Sequence, residues 1–483
     1  MKLRKIEVTD TLLIPKAVKK TAPRSRFRKP LEWILIFLLL ITAYRYFGTI
    51  KVSLVSDFIS TCDYLKSCIA DVFRRPLWQI LLLFAPALVF DVGRYYLTNT
   101  FVFFRDIFKR KPRDEFDKSG RYPLVSVLIP VYNESEIIRK TLDSILESDY
   151  PNFEIIVVDD CSKDTTGLIC KEYERKGLIR YLRKEQRSSK PGALNYGFKF
   201  AKGEYIVHFD ADIVVYRDAI RQGIKPFKDP KVGVVSGNLR VCNDRQSLAA
   251  RMQAAEYAIC ISVQRRWLAF TNSLHIASGA FSILRREVLE KSRGVDPETG
   301  EDLDITLKAK KMGYKIAFAP RAIAMTNVPN TFYGLFRQRI RWNECYIRIS
   351  LRKHGNIANL RRFAFSDFYA VMSDILYNLV LMAIFPIYIL LVIIFVPQLF
   401  LFILAVTYLF YLVMYLWQFI ITTVLSDDPL RDAIFILYAP LFFMYSLFLR
   451  GVRAIAYTLE FFRLKYLRDG FFPKQIWDSM PRY

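Results

Sequence analysis

The chain has 483 residues, 53% of them hydrophobic and 15% aromatic, with a formal net charge of +25. That length is too great for one ordinary domain, and the apolar excess gathers at the two ends, the pattern of a membrane protein with an inserted soluble domain. Nucleic acid is a poor match for the charge: the basic residues cluster beside apolar tracts, where they hold loops on the cytoplasmic side and attract anionic lipid, and no aromatic-plus-basic RNA-binding module is visible.

Residues 1–30 form a basic tail with Lys16, Lys19, Lys20, Arg24, Arg26, Arg28 and Lys29. Leu31 to Phe47 is almost wholly apolar and no small-residue cleavage site follows it, so it reads as an anchor helix and not as a signal peptide. Leu77 to Phe104 is a second apolar tract, and residues 31–104 are expected to hold two membrane helices with an outer loop. Asp91 and Arg94 interrupt the second tract. Either they pair on one helical face within it, or the helix ends near Phe90 and leaves them at the interface. Cys62 and Cys68 fall in the outer loop, where a disulfide and two separate thiols are both open. The remaining cysteines, Cys161, Cys170, Cys242, Cys260 and Cys345, fall in the cytoplasmic part and should be reduced. With no Cys-x-x-Cys pair and three histidines, a zinc site is not expected. Residues 105–121 are a basic linker carrying Arg105, Lys109, Arg110, Lys111 and Arg113.

From residue 122 to 345 the texture changes. Val125 to Val131, Glu154 to Val158 and Tyr205 to Phe209 are short apolar runs, each ending in polar residues, with helical patterns such as Ser135 to Glu147 between them. Alternating strand and helix predicts an α/β domain with a largely parallel sheet. Ligands of such sheets sit at the carboxyl ends of the strands, where the polar motifs fall. Residues 346–375 are basic and amphipathic, as in helices that lie along a membrane surface. Residues 376–450 are expected to hold about three membrane helices: Leu379 to Val396, stopped by Pro397; Leu399 to Leu425; and Ala433 to Leu449. Residues 451–483 are a basic C-terminal segment with Arg453, Arg463, Lys465 and Arg468. Five spans from an inside N-terminus leave this segment outside, while its charge argues for inside. A further element or a re-entrant hairpin around Gly451 to Phe462 would reconcile the two.

Transfer from a nucleotide sugar needs a cradle for the base, a cation for the diphosphate, a base for the acceptor hydroxyl and a grip on the acceptor. Asp210-Ala211-Asp212 ends an apolar strand, and alternate carboxylates on a turn can meet one divalent ion; oxygen ligands select Mg²⁺ or Mn²⁺. Asp302 lies in the acidic loop Gly300-Glu301-Asp302-Leu303-Asp304, after the small-residue turn Ser278-Gly279-Ala280. A neighbouring carboxylate raises an acid's pKa and makes it a better base. Helix capping by Asp302 or Asp304 is the structural alternative, because a helical pattern begins near Ile305. Gln338, Arg341 and Trp342 share a helical face at i, i+3 and i+4: a guanidinium can pair with diphosphate and an indole can stack on a sugar ring. An interfacial helix with a lipid-anchoring Trp is the other reading.

Six segments, Pro130-Val131-Tyr132-Asn133-Glu134, Val158-Asp159-Asp160-Cys161-Ser162, Lys190-Pro191-Gly192, Asp210-Ala211-Asp212, Glu301-Asp302 and Gln338-Arg339-Ile340-Arg341-Trp342, resemble the motif series of the family-2 membrane glycosyltransferases. The polymerising members, among them hyaluronan, poly-N-acetylglucosamine, chitin-oligosaccharide and cellulose synthases, are the most similar. The resemblance implies a GT-A fold and inversion at the anomeric carbon. It implies nucleotide binding by Tyr132, Glu134, Asp160, Lys190, Asp210, Gln338 and Arg341, a metal at Asp210 and Asp212, and Asp302 as base. Trp342 and Gly279 would meet the acceptor. Two departures stand out: Cys161 replaces a common Gly, and Gly300 replaces a common Thr. The expected partners are a UDP-sugar, most simply UDP-N-acetylglucosamine, a growing β-linked polysaccharide passed through the chain's own membrane helices, and the bilayer, with the catalytic domain on the cytoplasmic side of the cell membrane. Transfer of one sugar to a lipid phosphate, and an inactive scaffold or transport subunit, are the rival functions.

Overall fold

The computed structural model describes residues 54–84, 92–93, 95–108, 122–296, 300–359, 364–377 and 381–462. The basic tail, the anchor helix Leu31 to Phe47, Asp91, Arg94, most of the linker and residues 463–483 lie outside the described residues. The chain divides into two units at Arg75 and Pro76. In the first, a helix Leu54–Arg74 occupies the stretch expected to be an outer loop. Cys62 and Cys68 both lie on it. Six residues of helix separate them by roughly 9 Å of rise, beyond the reach of a disulfide, so the pairing left open by the sequence is not made.

In the second unit an eight-stranded sheet forms from β1 (Val125–Val131), β2 (Phe153–Asp159), β3 (Arg180–Arg183), β4 (Tyr205–Phe209), β5 (Val214–Val215), β6 (Val232–Val241), β7 (Phe281–Arg285) and β8 (Lys315–Thr326). The order is β3-β2-β1-β4-β7-β6-β8-β5. The first four strands in this order are parallel, with Val131 beside Asp159 and Leu128 beside His208. β7 then enters antiparallel to both β4 and β6, β8 pairs parallel with β6, and β5 runs antiparallel to β8. The expectation of a largely parallel sheet is therefore corrected to a mixed one. β7 starts at the small-residue turn beside the carboxyl end of β4, with the Asp210 amide bonded to the Ala280 carbonyl. It can only run back along β4, and an antiparallel neighbour needs no crossover helix.

The strands carry apolar residues on both faces, as a helix-covered sheet requires. Val125, Val127, Ile129 and Val131 pack against Ile138, Leu142 and Ile145 of the helix Ile138–Leu146. Leu128, Ile156, Val158 and Ile206 point the other way, toward Leu194 of the helix Ser189–Phe198. This arrangement aligns the carboxyl ends of β1, β2 and β4 on one edge.

Beyond the sheet, the helix Phe332–Ile347 is capped by Thr331, whose hydroxyl accepts from the Gly334 amide. The chain continues through a wide turn, Arg348–Lys353, to a helix Phe365–Ile375. This region does not stand apart from the sheet domain: Tyr346, Ile347, Ile349 and Val371 pack on Leu303 and Leu307, and Lys310 forms a buried ion pair with Asp367. Among the described residues two segments are long and apolar enough to cross a membrane, Pro397–Leu425 with mean hydropathy 2.4 and Pro429–Glu460 with 1.8. The expected earlier span is represented by a 15-residue helix, Leu381–Phe395, with Pro386 inside it. Residues 378–380, directly ahead of it, lie outside the described residues. The end of the second N-terminal tract is a helix, Leu97–Phe108, joined to Phe400–Leu425 through Asn99 and Gln418 at 2.6 Å.

Candidate active site

The edge at the ends of β1, β2 and β4 gathers most of the expected residues. Tyr132, Asn133 and Glu134 follow β1. Asn133 takes a left-handed conformation, φ 55°, its amide donates to the Ser162 hydroxyl, and its side-chain oxygen accepts from the Lys163 amide. The first two motifs are thus laced into one loop pair. The Glu134 side chain is buried, and the Arg187 guanidinium lies 3.9 Å above the Tyr132 ring. The two acids after β2 divide their work. Asp159 is structural, accepting from the Ser162 amide at 2.7 Å and the Tyr181 hydroxyl at 2.6 Å. Asp160 instead accepts from the Ser188 amide at 2.8 Å, which ties down the loop ahead of the helix that carries Lys190. Cys161 sits at φ 70°, the left-handed region that a glycine adopts without strain. This is the physical reason for the family's glycine there.

At the end of β4 a charged cluster assembles from four distant segments. Lys190 Nζ lies 2.7 Å from Asp210 and 3.0 Å from Glu301, and donates to the Gly279 carbonyl at 3.1 Å. Burial opposes the ammonium charge, but Asp210 and Glu301 overcome it and raise the Lys190 pKa. The Gly279 amide in turn donates to Asp302 Oδ2 at 3.1 Å. Asp302 is pushed up to about 6, first by burial and then by the Glu301 charge. Asp212 is likewise pushed up to about 6, by burial and by the charge of Asp210. His208, buried on β4, is held down at about 3 by burial and by the Lys190 charge, so its imidazole is neutral.

The acidic loop does not cap its helix with a carboxylate, contrary to the alternative open from the sequence. The cap of Glu301–Lys311 is Gly300, at φ 91° and without a side-chain hydrogen bond. A Cβ there would lie 2.6 Å from Ile349 Cδ1 and 3.2 Å from Cys345 Cβ, so the helix Phe332–Ile347 and the turn after it press directly on this loop. Asp304 is buried and holds the other side of the contact: its Oδ1 lies 2.8 Å from His354 Nε2 and 3.1 Å from Lys353 Nζ. Burial would raise the Asp304 carboxyl, but these partners and Lys308 hold it well below the usual range.

On the helix Phe332–Ile347, Gln338 is half-buried, with its side-chain carbonyl oxygen enclosed and unbonded. Arg341 and Trp342 are exposed. Three residues escaped the sequence reading. Arg339, within the Gln-Arg-Ile-Arg-Trp segment, pairs with Glu256 at 2.9 Å and places its guanidinium 4.7 Å from the centre of the Trp342 ring. Arg265 donates to the Ser236 hydroxyl at 2.6 Å; burial pulls its pKa down to about 10 against the charge of Asp302. Glu301, quoted only as part of an acidic loop, is the second partner of Lys190. A basic residue inside the signature was visible for Arg339, whereas Arg265 had no motif around it.

Among the described residues no cluster of three or more His, Cys, Asp or Glu is placed to hold a metal ion. The pair Asp210 and Asp212 still fits a divalent cation that takes its remaining ligands from phosphates, as Mg²⁺ commonly does. Two neighbouring carboxylates, one of them raised by burial and by the other's charge, make an anionic seat that a cation relieves.

Comparison with known proteins agrees with this geometry. Residues 126–293 match the model of glycosyl transferase family 2, so the chain carries a family-2 glycosyltransferase domain. Poly-β-1,6-N-acetyl-D-glucosamine synthases are among the matched relatives. That of Staphylococcus epidermidis is 35% identical over 230 residues, 47% of this chain and 56% of the relative. That of Staphylococcus aureus (strain COL) is 34% identical over 242 residues, 50% of this chain and 58% of the relative. The chain thus spans somewhat over half the length of these relatives. A mannosyltransferase from Pyrobaculum calidifontis, solved with GDP-Man and Mn²⁺, aligns over 78% of this chain and 99% of its own, with TM-score 0.47 and 21% identity.

Proposed function

We propose that this chain is a membrane-attached, inverting glycosyltransferase that takes UDP-N-acetylglucosamine and extends a β-linked polysaccharide. The observation that carries the reading is Asp302: a carboxylate held by the Gly279 amide and raised to about 6, beside the Lys190, Asp210 and Glu301 cluster. A carboxylate so raised is poised as a general base near neutral pH. In the proposed step Asp302 takes the proton of the acceptor hydroxyl, and the freed oxygen bonds to the anomeric carbon from the side opposite the diphosphate. The bond from that carbon to the diphosphate oxygen breaks, and UDP leaves with the electron pair. Tyr132, Glu134 and Asp160 would line the nucleotide end. Lys190, Gln338 and Arg341 would meet the diphosphate. Trp342 would carry the acceptor sugar, with Gly279 beside its reacting hydroxyl. A Mg²⁺ or Mn²⁺ ion held by Asp210 and Asp212 would neutralise charge developing on the leaving diphosphate.

The choice of N-acetylglucosamine follows the names of the matched relatives, and polymerisation follows the Gln-x-x-Arg-Trp segment. The apolar C-terminal helices support attachment to the cell membrane with the catalytic domain on the cytoplasmic side. The deciding experiment incubates the purified full chain with each radiolabelled UDP-sugar and sizes the product by gel filtration. A high-molecular-weight product from UDP-N-acetylglucosamine is expected. A single sugar on an extractable lipid would replace polymer synthesis with lipid loading, and no transfer with any donor would leave a scaffold or transport role.

A further inference from the structure

The segment Pro429–Glu460 has the length and hydropathy of a membrane span, yet both of its ends are bonded to the same soluble domain. At its start Asp432 forms a buried ion pair with Arg240 of β6, and Arg431 lies 3.2 Å from Asp244. In its middle the Tyr445 hydroxyl donates to Glu256 at 2.6 Å. Further along, Val452 and Ala456 pack on Ile340, and Tyr457 stacks on Tyr346 with ring centres 6.0 Å apart. At its end Glu460 takes Arg348 at 3.1 Å and Arg352 at 2.6 Å. Laid out straight, helix from Asp432 to Glu460 measures about 42 Å, more than the hydrocarbon thickness of about 30 Å. A crossing helix of that length would carry Glu460 to the far side of the bilayer. Instead its partners from Arg240 to Arg352 all belong to one body, and the helix Phe332–Ile347 beside it bears Arg337, Arg339, Arg341 and Glu344, which hydrocarbon does not accommodate without cost.

The same segment leaves one apolar stripe uncovered. Leu437, Leu441, Met444 and Ile455, with Phe462 just past the helix end, are between 48% and 75% exposed. Their spacing places them on a single helical face, distinct from the face that buries Phe442, Tyr445, Val452 and Ala456. We propose that Asp432–Glu460 lies in the plane of the membrane surface, bonded to the catalytic domain along one face and dipped into phospholipid along the other, and does not cross the bilayer. Lipid is the occupant because the segment packs along the apolar helix Phe400–Leu425, with the Tyr411 and Phe443 rings 4.8 Å apart, and Leu404 and Leu409 of that helix are exposed as well. The proposal rests on the membrane-attachment reading and goes beyond it: the chain at Glu460 is left on the catalytic domain's side, which removes the conflict between span count and the basic residues that follow.

The test uses the full chain in sealed membrane vesicles of both orientations, with Asp427→Cys and Thr458→Cys, exposed positions at the two ends of the segment and outside the apolar stripe, made singly and treated with a membrane-impermeant maleimide. Labelling above that of the unsubstituted protein is expected for both variants in the same orientation, the one that exposes the native Cys242. Labelling from opposite orientations overturns the proposal. A nitroxide at Met444→Cys gives an independent reading by collisional quenching: a depth at the headgroup boundary supports the surface position, and a depth at the bilayer midplane overturns it. Release of the unsubstituted chain by an alkaline wash would remove the membrane reading itself, a failure distinct from the labelling outcomes.

Discussion

The Gly279 amide donates to Asp302 Oδ2 at 3.1 Å while the Gly279 carbonyl accepts from Lys190 at 3.1 Å. One peptide turn thus joins the proposed base to the Lys190 ammonium beside Asp210 and Glu301. Asp302→Asn keeps the shape of this contact but removes the base. Turnover should fall by roughly two to four orders of magnitude, the usual worth of a general base, while UDP affinity measured by calorimetry changes little. Residual turnover above about a tenth of the unsubstituted rate would assign the base to another group.

The pH dependence follows from the same carboxyl. Burial and Glu301 lift Asp302 to about 6, so activity should decline below about pH 6, by about tenfold per unit once the acid form dominates. The sign for stability is opposite. A carboxyl raised by folding binds its proton more tightly in the folded state, so its contribution favours the fold as pH falls from about 6 toward 4 and is lost as pH rises. Initial rates of UDP release across pH 5 to pH 8, roughly the range in which such groups titrate, test the first point. An acid limb centred near the ordinary carboxylate range would show that Asp302 is not raised in the working enzyme.

Asp210 and Asp212 lie two residues apart just past the end of β4, and each alone is a weak cation ligand. Activity should require Mg²⁺ or Mn²⁺, vanish with chelator and be lost in Asp212→Ala. In the unsubstituted protein, Mn²⁺ binding followed by electron paramagnetic resonance should strengthen when UDP is added, since phosphates complete the ligand set. Full turnover in excess chelator would take these carboxylates out of the metal role.

The strand ends were legible in the sequence because each is a short apolar run closed by polar residues; Val125–Val131 and Tyr205–Phe209 were read at their observed bounds. The motifs they carry were legible for the same reason. Strand direction was not: Phe281–Arg285 has the same apolar texture whether it runs parallel or antiparallel, and only its starting turn beside Asp210 decides. Pairings between distant segments, such as Lys190 with Glu301 and Arg339 with Glu256, leave no local pattern. Hydropathy reads the last apolar segment as a span, and a window average cannot weigh where Asp432 and Glu460 find their partners.

The departures from the family pattern at Gly300 and Cys161 carry opposite expectations. Gly300 stands at φ 91° against Ile349 and Cys345. Gly300→Ala adds left-handed strain of about 1–2 kcal/mol and crowding of a further ~1–3 kcal/mol, so the thermal midpoint and turnover should both drop. Cys161→Gly relieves strain at φ 70° and should leave the midpoint unchanged or raise it by a few degrees, as a change of about 1 kcal/mol does. Differential scanning fluorimetry of the two variants side by side checks both. A destabilised Cys161→Gly would mean that the side chain, and not the backbone, is what matters there.

Trp342 is exposed at 39%, with the Arg339 guanidinium over its ring and Glu256 holding Arg339 in place. It lies one helical turn before Cys345, which faces the Gly300 loop that leads into Asp302. A sugar stacked on the free face of this ring would sit on the helix that presses against the Gly300 loop, two residues ahead of the proposed base. Trp342→Ala should lower polymer formation about a hundredfold, because small misplacements of an acceptor hydroxyl cost large factors in rate. Hydrolysis of the donor, in which water needs no platform, should persist within a few-fold. Glu256→Gln should show a weaker version of the same split, since it loosens Arg339 without removing the ring. If Trp342 were only a lipid anchor, both reactions would fall together with the yield of protein in detergent, and Glu256→Gln would leave their ratio unchanged. Measuring UDP release and polymer mass in one purified sample separates these outcomes.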